Sequence, residues 1–104
     1  MANVVVLTTT ESREAASALA RGIVDERLAA CVQVVPITSV YRWKGTTHEE
    51  AETLLLIKTQ ASLYDRLEAF IQARHSYETP EIVALPIAAG SQSYLDWLAA
   101  ETRE

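Results

Sequence analysis

Three polar side chains alternate along one short stretch: His48, Glu50 and Glu52. In an extended chain residues two apart share a face. An imidazole and two carboxylates would then form a ladder able to hold a hard or borderline divalent cation. The same spacing describes a solvated polar rim, since no rigid loop fixes these groups. His75 is the only other histidine, and Cys31 is the only cysteine. His75 closes a predicted helix, where the dipole favours an imidazolium, so helix-end stabilisation and metal ligation are both open to it. Cys31 starts an apolar strand and reads as a small core residue. As a thiolate ligand or redox-sensitive group it needs a cation or metal beside it. Lys58 and Glu81 fall on strands expected near the middle of a sheet, where each charge needs a partner in a salt bridge or a polar pocket between subunits. Tyr41, Trp43, Tyr77 and Trp97 are either core residues or anchors of an interface.

Absences narrow the chemistry. One cysteine and two histidines do not make a zinc site within one chain. No Gly-rich phosphate loop, nucleophile elbow, zincin helix or Cys-x-x-Cys pair occurs. No catalytic constellation is legible, so a non-enzyme without a required cofactor is expected. The net charge of −5 over 104 residues includes no basic cluster to replace phosphate counterions, which argues against nucleic acid. No apolar run approaches the ~20 residues of a membrane span. The first apolar run, Val4 to Leu7, is too short for a signal-peptide core and lacks basic residues before it. With no disulfide framework either, a reduced, cytoplasmic protein of one domain spanning 1–104 is expected.

The elements that must position these groups follow from periodicity. Asn3 to Leu7 reads as a strand. Thr8 to Thr10 offer hydroxyl caps for a helix with Glu11 and Glu14 in its first turn and Ala16, Leu19, Ala20, Ile23 and Arg27 at helical spacing. Gly22 inside it implies tight packing or local weakness. Leu28 to Trp43, the Lys44-Gly45 turn, and Thr46 to Ile57 form one long antiparallel hairpin. Each arm of about 13 residues would extend roughly 40 Å at ~3.3 Å per residue, longer than the domain that holds it. It must bend, protrude or pair with another copy. Pro36 marks an edge or a bulge where the first arm bends. Ser62 and Asp65 suggest a capping box for a helix carrying Leu63, Leu67, Phe70 and Ile71, ended by Tyr77-Glu78-Thr79-Pro80. Ile82 to Ile87 is a fourth strand. Ser93 caps a short last helix with Tyr94, Leu95 and Leu98 for burial. The order is an α+β, ferredoxin-like βαββαβ arrangement plus a C-terminal helix, with the two main helices on one sheet face. Val4 to Leu7, Leu54 to Ile57 and Ile82 to Ile87 are apolar at both parities, so the other face also calls for burial, most economically in an oligomer.

Taken together, Leu28-Ala29-Ala30-Cys31-Val32, Ser39-Val40-Tyr41-Arg42-Trp43-Lys44-Gly45, Glu52 with Leu56-Ile57-Lys58-Thr59, and His75-Ser76-Tyr77-Glu78-Thr79-Pro80-Glu81-Ile82 resemble the CutA divalent-cation tolerance family. Gly90 with Tyr94-Leu95 and Trp97 fits it too. The resemblance spans essentially the whole chain. It implies a ferredoxin-like fold, a tight homotrimer and a role in tolerance of divalent metals such as copper, with no enzymatic reaction attached. It also implies copper ligands, in some members, at a cysteine ending the first strand and at two adjacent histidines before the Tyr-x-Thr-Pro-Glu motif. Thr8, Arg74 and His75 occupy those positions here. A hydroxyl and a permanently charged guanidinium replace a thiolate and an imidazole, which weakens or removes that site.

Three functional classes follow. The first is a trimeric tolerance or sensing protein that binds divalent cations weakly. The second is a signalling trimer like the PII proteins, which the resemblance also implies, taking a small anionic ligand between subunits with Lys58 and Arg42 as contacts. The third is a small-molecule enzyme using Tyr41, Lys58 and Glu81 as acid–base groups.

Overall fold

The computed structural model describes residues 2–103. Its elements are β1 (Asn3–Thr10), α1 (Arg13–Asp25), β2 (Cys31–Trp43), β3 (Thr46–Gln60), a 3-10 turn (Ala61–Leu63), α2 (Tyr64–Arg74), β4 (Val83–Pro86) and α3 (Gln92–Glu101). The strands lie in the order β2-β3-β1-β4, each antiparallel to its neighbour. This is the expected ferredoxin-like arrangement with a long central hairpin and an added C-terminal helix.

The hairpin is built by its turn. Lys44 (φ 50°) and Gly45 (φ 80°) both adopt left-handed backbone, the geometry whose twist matches the flanking strands in a two-residue loop. The register then runs unbroken from Trp43↔Thr46 to Cys31↔Lys58. Pro36 pairs with Thr53 inside that register, so it marks the sheet edge and not a bulge. β1 covers β3 only from Thr53 to Gln60. The half of β3 from Thr46 to Glu52 therefore has β2 as its only neighbour, and the hairpin protrudes: the molecule measures 44 × 25 × 22 Å.

Strand parity divides the sheet into two faces. Val6, Leu55 and Ile57 point toward the helices and are buried with Ala16, Leu19 and Ile23 of α1 and Leu67 and Ile71 of α2. Each of these valine, leucine and isoleucine side chains contributes about 1.5–3 kcal/mol on burial. Gly22 lets the two helices meet: a methyl group there would lie 3.1 Å from Phe70. Tight packing, and not weakness, explains that glycine. The opposite face carries Val5, Leu7, Val35, Leu54, Leu56, Val83 and Leu85 by register. It is left open, with Val83 and Leu85 exposed to 45% and 51%.

Several boundaries differ from the sequence-based expectation. β1 continues through Thr10, and Ser12 caps α1 by accepting from the Ala15 N–H at 3.1 Å. Pairing with β3 outcompetes local capping by the threonines. No capping box forms at Ser62 and Asp65, because Ser62 lies within the 3-10 turn that precedes α2. Ser91, not Ser93, caps α3, accepting from Tyr94 N–H at 3.4 Å. β4 is limited to Val83–Pro86 and forms an edge. Glu81 therefore precedes an edge strand and is exposed, away from the middle of the sheet.

Arg27 does not extend the apolar stripe of α1. It lies past the helix end in left-handed backbone (φ 57°). There Leu28 N–H donates to Ile23 O and Arg27 N–H to Val24 O, a Schellman closure in which glycine is the usual residue. The guanidinium accounts for an arginine at this position. It donates to the carbonyls of Ala100 (2.9 Å), Glu101 (3.3 Å) and Thr102 (3.4 Å), which the end of α3 leaves without helical partners. Arg103 N–H returns a bond to Arg27 O at 2.9 Å, and Gln60 Nε2 donates to Thr102 Oγ1 at 2.6 Å. One residue thus closes α1 and holds α3. Replacing Arg27 by Ala or by Gly removes the clasp in both cases, while only Gly relieves the left-handed strain. The Gly variant should be more stable than the Ala variant by about 1 kcal/mol in denaturant unfolding. Equal stabilities would show that the backbone there is unstrained.

Candidate functional site on the open sheet face

The open face is crossed by rungs of paired residues. One rung runs Cys31, Lys58, Val5 and Leu85 across all four strands. The next runs Gln33, Leu56, Leu7 and Val83. Polar groups gather at the two ends of this face and aliphatic side chains occupy its middle.

The hairpin end holds the tyrosine–carboxylate pairs. Tyr41 donates to Glu50 and stacks on His48, with ring centroids 5.3 Å apart. Tyr77 donates to Glu52 Oε2 at 2.8 Å. Burial, reinforced by this bond to Glu52, pushes the Tyr77 hydroxyl far above the ordinary tyrosine range. The bond to Glu50 is the main cause of an upward shift at Tyr41 as well. His75 anchors this group to the sheet. Its Nδ1 accepts from Tyr77 N–H at 3.1 Å, so Nε2 carries the proton and donates to Thr9 O at 2.6 Å. Both ring nitrogens are thereby occupied.

At the other end Cys31 and Lys58 are register partners, and Lys58 Nζ donates to Gln33 Oε1. Tyr94 of α3 lies against Cys31. Burial first, then the neighbouring thiol, raises the Tyr94 hydroxyl above its ordinary value. Trp97 packs beside Tyr94 at 5.5 Å between ring centroids and is exposed. Trp43 stands at the hairpin tip, with Lys44 Nζ 5.7 Å from its ring.

The sequence-derived candidates therefore separate into groups. Tyr41, His48, Glu50, Glu52, Tyr77 and His75 come together, as do Cys31 and Lys58. Glu81 and Trp97 join neither polar group. Tyr41, opposite His48, lies ten residues along the hairpin from Lys58, roughly 33 Å in an extended strand. Tyr41, Lys58 and Glu81 do not converge. Gln33 was not singled out by sequence, and Tyr94 was named only for burial and within the family resemblance, not as a site residue. Gln33 was accessible to parity, since it lies two residues from Cys31, whereas the docking of Tyr94 depends on the clasp at Arg27.

The copper positions implied by the resemblance do not fit a metal. Thr8 is fully buried on the helix side of the sheet, Arg74 lies over the Phe70 ring at 3.6 Å, and His75 has no free nitrogen. Among the described residues no three His, Cys, Asp or Glu side chains converge to hold a metal ion.

Comparison with known proteins places this geometry. The family model described as CutA1 divalent ion tolerance protein matches residues 4–101. The divalent-cation tolerance protein CutA of Thermus thermophilus is 52% identical over 99 residues, covering 94% of this chain and 96% of its own. The chloroplastic protein CutA of Arabidopsis thaliana is 49% identical over 97% of this chain, which spans only 56% of that protein. The crystal structure of CutA1 from Oryza sativa superposes with a TM-score of 0.97 at 48% identity, covering all of this chain and 96% of the rice chain. With the fold and nearly the full length matched, the chain belongs to the CutA1 divalent ion tolerance family.

Proposed function

We propose that this chain acts as a homotrimer in tolerance of divalent cations, binding or sensing them weakly and without catalysis. The observation that carries the assembly is the exposed apolar sheet face beside a hairpin whose distal half has no neighbour in its own chain. A hairpin laid on the next subunit's sheet is a heterologous contact, and such contacts close into rings when the rotation permits. A ring of three would cover every open face. Trp43 and Tyr41 on the projecting arm have the character of interface anchors.

For the cation, the favoured contacts are single groups of the hairpin, Glu50, Glu52 or His48, because among the described residues no three such side chains converge on one ion. Both carboxylates are hydrogen-bonded by tyrosines, so a cation must compete with those bonds. Weak affinity follows. A cytoplasmic location remains part of this proposal. The reading as a PII-like trimer is favoured by one feature, the cation Lys58 set within the open face.

Sedimentation at micromolar concentration should give three times the 11.5 kDa chain mass. Replacing Trp43 by Ala should weaken association by about 2 kcal/mol or more. A folded monomer, or a variant as resistant to dilution as its parent, would count against the assembly.

Copper titration tests the metal reading. His75→Ala should change copper affinity less than tenfold, under about 1.4 kcal/mol, and Arg74→His should strengthen it by removing a fixed charge and adding a donor. Nanomolar parental binding lost in His75→Ala would overturn this account.

A further inference from the structure

From the end of the open face occupied by Lys58, we infer a binding site for a small carboxylate that carries an apolar or aromatic body. Lys58 is the only lysine or arginine among the strand positions of that face. Among the described residues no carboxylate lies within 4.0 Å of its ammonium group. The nearest acidic position on the same face of β3, Glu52, is six residues away, roughly 20 Å along the strand. An intrachain ion pair with it is out of reach.

The groups around Lys58 are suited to an anion. Gln33 gives its carbonyl oxygen to the ammonium, which leaves the amide N–H2 as a second donor pointing to the same class of ligand. One carboxylate oxygen can accept a hydrogen bond from the Lys58 ammonium and the other from the Gln33 amide N–H2, both assisted by the ligand's charge. Beside them the same rung continues into Val5 and half-exposed Leu85, an apolar shelf for the rest of the molecule. Donors at one end and aliphatic surface at the other select an amphipathic acid over an inorganic anion or a neutral molecule.

This inference rests on the assembly proposed above, because covering the face removes the water that would otherwise solvate Lys58. The competing occupant is a carboxylate from the neighbouring subunit. Calorimetry with 3-phenylpropionate and its neutral amide, run beside sedimentation of the same samples, separates the possibilities. The acid should bind at least tenfold more tightly than the amide. Lys58→Met should bring the two within twofold of each other while the sedimenting mass stays that of the parent. Gln33→Leu, at an exposed position, should reduce the preference for the acid and serves as the second variant if Lys58→Met does not fold. In the parent, the acid should slow alkylation of Cys31. Equal affinity for acid and amide, no measurable binding of either, or a preference that survives Lys58→Met would overturn the site. Loss of the parental mass in Lys58→Met would overturn it too, assigning Lys58 to a carboxylate of the next subunit. A parent that sediments as a monomer yet keeps the preference for the acid would refute the assembly and support the site.

Discussion

A β-strand has two faces, and this chain supplies main helices for only one of them. α1 and α2 bury the odd-numbered residues of β3, including Leu55, Ile57 and Thr59, with their partners on β1 and β2. The even-numbered residues Leu54, Leu56 and Lys58 are left half-covered. Because side chains alternate strictly along a strand, no adjustment of register can bury both sets under the same two helices. The exposed aliphatic surface, the projecting hairpin and the separation of polar groups to the two ends of the face all derive from this.

α3 is too short to remedy the deficit, and its attachment shows why it sits where it does. Leu98 is its one fully buried side chain among the described residues, and much of the remaining hold is polar. Arg27, Gln60 and Arg103 fix its C-terminal end to the loop after α1 and to the end of β3. Carbonyls at a helix end are strong acceptors without helical partners, so a guanidinium there satisfies several at once. This attachment carries Tyr94 over Cys31 and leaves the centre of the sheet open.

The same economy governs the hairpin end. Tyr77 reaches Glu52 only because the segment after α2 is pinned by His75, whose two nitrogens bridge Tyr77 N–H and the carbonyl of Thr9. A histidine used in this way is a structural bracket. The residue that sequence offered as a metal ligand is thus spent on holding a loop against β1, and Glu52 is engaged by a phenol before any cation arrives. The chemistry open to the face is set by which polar groups the fold has already paired and which, like Lys58, it has not.

Much of this was legible in the residues themselves. The order of elements, the hairpin centred on Lys44-Gly45 and the excess of apolar parity follow from local periodicity and turn chemistry, which act over a few residues. Pro36 as an edge residue and Gly22 as a packing site were legible as alternatives, and register and the approach of Phe70 chose between them. What only the tertiary structure decided are matters of which distant groups meet. β1 took Thr8 to Thr10 from the helix cap because pairing with β3 continues to Thr53. Arg27 left its apolar stripe for carbonyls more than seventy residues away. His75 was claimed by Thr9 across sixty-six residues. Local pattern determines which elements form and which faces are apolar. Which donor finds which acceptor depends on contacts between segments remote in sequence, and no spacing within either segment encodes that choice.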